Sequence, residues 1–256
     1  MKLLLDADML LYPLMAAAEV EVELAPDEWT RYCDLREPRI AYWDQIYAWC
    51  HEFNCSPDDV VHCFTDESAF RREIFPEYKA NRKSKPKPIG FRAMQREIIT
   101  SGATAYQFKM VEADDLMGMM ATSPPFINDG FIILSGDKDM KQIPGFHAWL
   151  NTELYCIDNE TADRHFWQQA LIGDATDGIP GCPTVGEKTA EKIVQGFDLE
   201  DTLGCWQEVV SVYAKKGKVD GPEQYALTQA RLVRILRHGD YNFQTHEVTL
   251  WNPLKN

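Results

Sequence analysis

At 256 residues, 45% hydrophobic and 26% charged, the chain is long enough to bury a sizeable core, which excludes a disordered chain, a collagen-like fibre and a coiled-coil rod. Its formal charge of −14 predicts repulsion from polyanions when the chain is taken as a whole. The opening MKLLLDADML is interrupted by Asp6 and Asp8, so it reads neither as a signal peptide nor as a span, and no stretch approaches the ~18 apolar residues of a transmembrane helix.

Residues 2–7 read as a short buried strand that ends on acids. Residues 39–54 carry Tyr42, Trp43, Ile46, Tyr47, Trp49 and Cys50 at the spacing of an amphipathic core helix. Residues 59–64 predict a second strand, running into Thr65 and Asp66. A helix with an acidic first turn is expected over 111–121, and a fully apolar strand over 131–135, running into Gly136 and Asp137. Strands alternating with helices predict an α/β fold with a mostly parallel sheet. Beyond these the strand signal fades. Helices are expected over 163–172, 187–195 and 223–237, so the chain divides into residues 1–160 and a helical part, 161–256. The seven cysteines are irregularly spaced with no CxxC pair, and read as reduced thiols of an intracellular protein. The six histidines form no metal-ligand pattern.

The acids are better placed than the histidines. Asp6 with Asp8, Asp66, and Asp137 with Asp139 each follow an apolar strand. Ligands of open parallel sheets bind at those strand ends, so these side chains should converge. Glu112, Asp114 and Asp115 open a helix, and Asp174 and Asp177 share a face if helical. Any one of these acids alone reads as a helix cap or a loop acid. Ten carboxylates in one cleft repel one another strongly unless cations neutralise them. Hard divalent cations with oxygen shells are the remedy; Mg²⁺ suits partial carboxylate ligation, and two ions ~4 Å apart serve phosphodiester chemistry.

Residues 71–96 reverse the charge. Arg71, Arg72, Lys79, Arg82, Lys83, Lys85, Lys87, Arg92 and Arg96 stand against Glu73 and Glu77, a net +7, so the rest of the chain carries −21. Phe75, Tyr78 and Phe91 lie among these bases, a mixture suited to phosphate contact with base stacking rather than to a solvated face. The stretch 177–190 places glycines at 178, 181 and 186, where backbone can approach a phosphate, and Thr184, Lys188 and Thr189 can add contacts.

Seven stretches now stand in order along the chain: LLLDAD at 3–8, FTD at 64–66, YKANRK at 78–83, VEADDLMG at 111–118, SGDKDM at 135–140, GDATDGIPGCPTVGEKTAEKI at 173–193 and ARLVRILRHGDYNF at 230–243. Together they resemble the flap endonuclease/5′-nuclease family, which includes the 5′-nuclease domain of bacterial DNA polymerase I, and within it the 5′–3′ exonucleases of T-odd bacteriophages. The resemblance implies a PIN-like parallel-sheet core, a basic arch and a helix–turn–helix duplex clamp with its Gly/Pro hairpin at 178–190. It implies that Asp6, Asp66, Glu112 and Asp114 hold one metal, and that Asp115, Asp137, Asp139, Asp174 and Asp177 complete a second, directly or through water. Lys79 and Arg82 would hold the scissile phosphate, and Tyr78 would stack on the terminal base. Arg71, Arg72, Lys83, Lys85 and Lys87, with Gly181, Thr184, Gly186, Lys188 and Thr189, would contact DNA.

The implied activity is metal-dependent hydrolysis near the 5′ end of duplex or flap DNA, extending to RNA in RNA–DNA hybrids. It leaves 3′-hydroxyl and 5′-phosphate ends and serves phage DNA replication and recombination in the bacterial host cytoplasm. The implied cofactors are two Mg²⁺ ions, with Mn²⁺ as a substitute, and K⁺ at the 178–186 hairpin. The implied partners are DNA and a single-strand-binding protein, for a monomer with no membrane attachment. Where the family shows Asp-Gly in its first motif, this chain has Asp6-Ala7-Asp8, which leaves Asp8 without an assigned role. The arch stretch 83–91 is short and contains prolines. A haloacid-dehalogenase-type phosphatase shares the strand-then-DxD shape, but Leu10 stands where Thr or Val is expected, and the basic island would have no purpose. A DNA end- or flap-binding module without catalysis would need an acid missing from the set, and none is missing.

Overall fold

The computed structural model describes residues 1–82 and 86–254, with Arg82 described by its backbone alone. The chain runs through β1 (Lys2–Asp6), α1 (Ala7–Ala17), the hairpin β2 (Glu19–Ala25) and β3 (Glu28–Cys33), α2 (Arg36–Glu52), β4 (Val60–Phe64), α3 (Arg71–Ile74), α4 (Phe91–Thr100) and β5 (Ala105–Gln107). It continues through α5 (Ala113–Ala121), α6 (Pro124–Asp129), β6 (Phe131–Leu134), β7 (Gly145–Ala148), β8 (Tyr155–Ile157), α7 (Asn159–Ile172), α8 (Glu187–Val194), α9 (Thr202–Val212) and α10 (Pro222–Val233).

Six strands form one sheet in the order β5-β4-β1-β6-β7-β8, parallel except for the antiparallel edge strand β8. The chain leaves β1 for β4 and β5 on one side, then returns to β6 on the other. That reversal makes the carboxyl end of β1 a topological switch point, where crossovers diverge and a crevice opens. The helices expected at 39–54, 111–121, 163–172 and 187–195 are all present with small shifts at their ends.

β1 shows how the sheet is held. Leu3 and Leu5 point into a cluster with Leu10, Leu11 and Met15 of α1 and Tyr42, Ile46 and Trp49 of α2. Leu4, between them, points to the other face, against Val61, Leu116, Met117 and Ile133. Alternate residues of a strand face opposite ways, so a strand covered on both faces is apolar throughout. A third cluster joins α7 to α10, with Trp167, Trp206 and Val209 at its centre, and takes Tyr78 and Trp251 from elsewhere in the chain.

The helix expected over 223–237 stops at Val233, because Arg234 is extended (ψ 125°). Ile235, Leu236 and Tyr241 then pack beneath the sheet rather than with the helices. Among the described residues no helix is long and apolar enough to cross a membrane, and all seven cysteines are free.

His62 of β4 is buried, and its Nδ1 lies 2.7 Å from the Tyr42 hydroxyl. Burial lowers its pKa to about 4. A histidine kept neutral in the fold binds its proton only when unfolded, so its contribution is intact above pH about 6.5 and lost as pH falls toward 4. The expected loss is on the order of 3 kcal/mol across that window. Denaturant midpoints should fall less between pH 7.5 and 5 in His62→Gln than in the wild type, the remainder coming from His165 and His147, which burial also holds neutral; equal falls would exclude His62 as a cause.

Candidate active site

Asp6 closes β1 and caps α1, its Oδ1 accepting from the Met9 amide at 3.0 Å. That cap is why the strand turns at once into a helix. Two residues on, Asp8 sits in the first turn of α1, and its Oδ2 accepts from the Thr65 amide at 2.8 Å. Thr65 in turn holds the start of α5, where its Oγ1 accepts from the Ala113 amide at 3.1 Å. Glu112 caps α5 in a capping box with Asp115. The end of β6 is fastened to the same place: the Gly136 amide meets Met9 Sδ, and Ser135 Oγ lies 3.4 Å from Asp6.

The ends of β1, β4 and β6 and the start of α5 thus border one cleft of about 330 Å³, lined by Asp6, Asp8, Thr65, Lys79, Glu112, Asp114 and Asp137 among others. Five carboxylates face one ammonium there. Burial, with Asp8 and Asp137 nearby, pushes the Asp6 carboxyl up to about 7. Burial and the Asp115 charge also raise Asp114 well above the usual carboxylate range. Glu112 goes the other way: burial opposes its charge, but Lys79 and Arg71 hold it down at about 2. Its Oε1 accepts from Lys79 Nζ and its Oε2 from the Tyr78 hydroxyl at 2.6 Å and from Arg71 Nη1 at 3.1 Å.

The helical part supplies the next acids. Asp177 Oδ2 lies 3.1 Å from the Tyr78 hydroxyl and 3.5 Å from Lys79 Nζ, and its carbonyl accepts from the Lys79 amide. Asp174 Oδ2 pairs with Lys138 at 3.2 Å, and its Oδ1 accepts from the Thr176 amide. Asp139 is raised by burial and the neighbouring Asp137 to about 6, and accepts from Gln169 Nε2. Asp137 lines the cleft, whereas Asp139, Asp174 and Asp177 are not among its lining residues.

Several expected site residues have other work. Asp115 is fully buried, and one oxygen each of Glu112, Asp114 and Asp115 lies within 4.8 Å of the others. Both Asp115 oxygens, however, accept from Arg71, at 2.6 and 2.9 Å, and from the Glu112 and Leu236 amides. A carboxylate so occupied helps to hold the fold, and it does so beside Glu112 and Asp114, with which it forms a group able to hold a metal ion. Arg71, expected on DNA, is 2% exposed, and also donates to the carbonyls of Leu232 and Arg234. Tyr78 is 3% exposed, so its ring is not offered for stacking; it packs in the helical cluster with its hydroxyl on Glu112 and Asp177.

Asp66 does not line the cleft; its Oδ1 accepts from the Ser68 and Met110 amides. Gly181 is buried with φ 66°, its amide donates to Gln229 Oε1 at 3.0 Å, and a Cβ there would meet the Ile172 carbonyl at 2.1 Å. It therefore serves packing, not a phosphate. Thr184, Gly186 and Lys188 are exposed, and Thr189 half-buried, around the start of α8. Arg72 and Lys87 are exposed, the latter with Nζ 4.4 Å above the Phe91 ring. Lys83, Lys85 and the side chain of Arg82 lie outside the described residues.

The donor set fits a hard divalent cation. It is all oxygen, mutually repelling and short of positive charge. One of its atoms, Asp8 Oδ1, is buried with no hydrogen-bond partner among the described residues. The sequence placed Asp8 among the converging acids by its DxD spacing after an apolar strand but gave it no metal, and it offered no signal for Thr65.

A profile described as "5′-3′ exonuclease, N-terminal resolvase-like domain" matches residues 42–167. The chain is 30% identical over 284 aligned residues to an exodeoxyribonuclease of Enterobacteria phage T3, covering 98% of this chain and 92% of that protein. It is 29% identical to an exonuclease of Escherichia phage T7, covering 98% and 93%. The fold is similar to a crystal structure of the bacteriophage T5 flap endonuclease, a pseudo-enzyme-product complex with DNA and metal ions, with a TM-score of 0.66 at 16% identity over 90% of this chain and 88% of that one.

Proposed function

The chain belongs to the 5′–3′ exonuclease and flap endonuclease family, and from that premise we propose that it cleaves phosphodiesters near DNA 5′ ends in the acidic cleft at the end of β1. The observation that carries the reading is the convergence of Asp6, Glu112, Asp114 and Asp137 on one cleft beside Lys79. These four side chains would hold divalent ions, with Asp66, Asp139, Asp174 and Asp177 reaching them through water. Oxygen-only ligation favours Mg²⁺, with Mn²⁺ as a substitute. Such ions, when bound, supply an acidified water and offset charge on the leaving 3′ oxygen.

The chain's own residues do the rest. Lys79 Nζ, in the cleft wall, meets the non-bridging oxygens as negative charge builds on them. Glu112, kept ionised by Arg71 and Lys79, remains ready to ligate at neutral pH. Asp177 and the Tyr78 hydroxyl tie the helical part to Glu112, so the duplex clamp and the cleft keep a fixed relation. Arg72, Lys83, Lys85 and Lys87 would follow the single-stranded end, and Thr184, Gly186, Lys188 and Thr189 the duplex backbone. K⁺ would sit in the 178–186 hairpin. RNA in RNA–DNA hybrids and a single-strand-binding protein belong to the same reading, as do a monomeric state and the cytoplasm of a bacterial host.

The test is 5′-labelled duplex DNA, blunt or with a 5′ flap, in Mg²⁺ and in EDTA. Short oligonucleotides released from the blunt end only with metal are the expected result. Cleavage confined to the flap junction keeps the chemistry and changes the role to flap removal, and no metal-dependent cleavage of either substrate refutes the reading. Neutralising Lys83, Lys85 and Lys87 together should reduce the salt slope of DNA binding by up to about 2, near 0.7 for each single-strand phosphate no longer neutralised. An unchanged slope would remove this segment from the interface.

A further inference from the structure

Asp8 is the feature of the cleft that the proposed chemistry does not use. It stands two residues after Asp6, where α1 makes its first turn, and it lines the cleft with Asp6, Glu112, Asp114 and Asp137. Its two oxygens are treated differently. Oδ2 accepts from the Thr65 amide at 2.8 Å, while Oδ1 is buried and has no hydrogen-bond partner among the described residues.

A first-turn acid that only tethered Thr65 would need one oxygen and could leave the other in water. Burying a carboxylate oxygen without a donor is unfavourable, and a native fold keeps such an atom where something else compensates it. Of the charges that act on Asp8, Lys87 attracts most strongly, while Glu112 and Asp6 repel. Thr65 stabilises the carboxylate through its hydroxyl as well as its amide, yet Oδ1 itself has no hydrogen-bond partner among the described residues. A cation held at Oδ1 would leave the bond from the Thr65 amide to Oδ2 in place.

Resting on the metal-dependent reading above, we propose that Asp8 Oδ1 is a further ligand for a divalent cation in the cleft, so that the Asp6-Ala7-Asp8 step contributes two carboxylates from adjoining elements. Oδ2 then acts as the anchor and Oδ1 as the ligand. Ala7, fully buried between them, fixes the two-residue spacing.

The experiment uses the full chain without DNA. Mn²⁺ binding is counted by electron paramagnetic resonance, and thermal unfolding is followed with and without Mn²⁺, for the wild type, Asp8→Asn and Asp8→Ser. Asn keeps an oxygen in place to accept from the Thr65 amide, whereas the serine hydroxyl is one bond shorter, so Asp8→Asn carries the test and Asp8→Ser reports the loss of the tether together with the ligand. The expected result is a roughly tenfold or greater loss of Mn²⁺ affinity. The metal-free midpoint should be unchanged or higher, because an unpartnered buried oxygen is gone, and the gain on adding Mn²⁺ should shrink. A purely structural Asp8 gives the opposite pattern: a lower metal-free midpoint with Mn²⁺ affinity intact. That outcome, or wild-type affinity at unchanged stability, overturns the proposal. If the wild type itself binds no Mn²⁺, the metal-dependent reading fails and this inference with it, whereas a variant-specific result bears on Asp8 alone.

Discussion

Arg71→Met is expected to destabilise the protein by about 3–5 kcal/mol, the usual range when one partner of a buried ion pair is removed. The guanidinium is enclosed on every side. It donates twice to Asp115, once to Glu112 and once each to the carbonyls of Leu232 and Arg234. Methionine can fill much of the space but returns none of these bonds. Asp115 would then be a fully buried charge with only backbone amides for company. Urea denaturation should show the lower midpoint with an unchanged slope. The competing view, that Arg71 is one more base of a DNA-binding run, predicts normal stability and a weaker salt dependence of DNA binding. A variant as stable as the wild type would mean that the Arg71 ion pairs do not hold the fold.

Lys79→Ala should lower the cleavage rate by roughly 10²–10³, the cost of removing one charge-stabilising donor, while DNA affinity changes only a few-fold. The difference follows from position. Lys79 faces the cleft from a left-handed backbone conformation (φ 54°), with Glu112 and Asp177 as its present partners. It is half-hidden, so it adds little to the capture of a long substrate, which falls to the exposed bases around it. Its charge counts most at the phosphate under attack, where negative charge grows during the reaction. Single-turnover cleavage and equilibrium binding on the same labelled duplex separate the two effects. Equal losses in rate and affinity would sink this role for Lys79 and make it one phosphate contact among several.

What could be read in the sequence was local. β1, β4 and β6 are short apolar runs stopped by acids, and both the strands and the acids at their ends follow from that pattern. The amphipathic helices followed from spacing. The hairpin β2–β3 escaped, although Glu19, Glu21 and Glu23 alternate with Val20, Val22 and Leu24; both its faces are largely exposed, so no apolar face announced it. α1 escaped because Asp6 and Asp8 stand at a strand end and serve also as the cap and first turn of a helix.

The misplaced residues have one cause. Nine bases between 71 and 96 look alike in sequence. Only contact with Leu232 and Arg234, more than 150 positions on, decides that Arg71 turns inward. Tyr78 suits a substrate base on the same local ground and is instead claimed by Glu112 and Asp177. Asp8 shows the converse. Its spacing is visible, but its value depends on which oxygen Thr65 occupies, and that is a tertiary fact.

The strap after α10 has a bearing on how this protein is made. Residues 232–236 supply two carbonyls to Arg71 and an amide to Asp115, and a side chain at position 118 larger than glycine's would collide with Ile235 and the Leu236 carbonyl. Those residues leave the ribosome long after the acids they support. Until they arrive, Arg71, Glu112 and Asp115 are an unfinished ionic knot, and the cleft lacks its backing. Synthesis therefore works as a timer: a nascent chain carries the acids of its cleft well before it acquires a rigid place to use them.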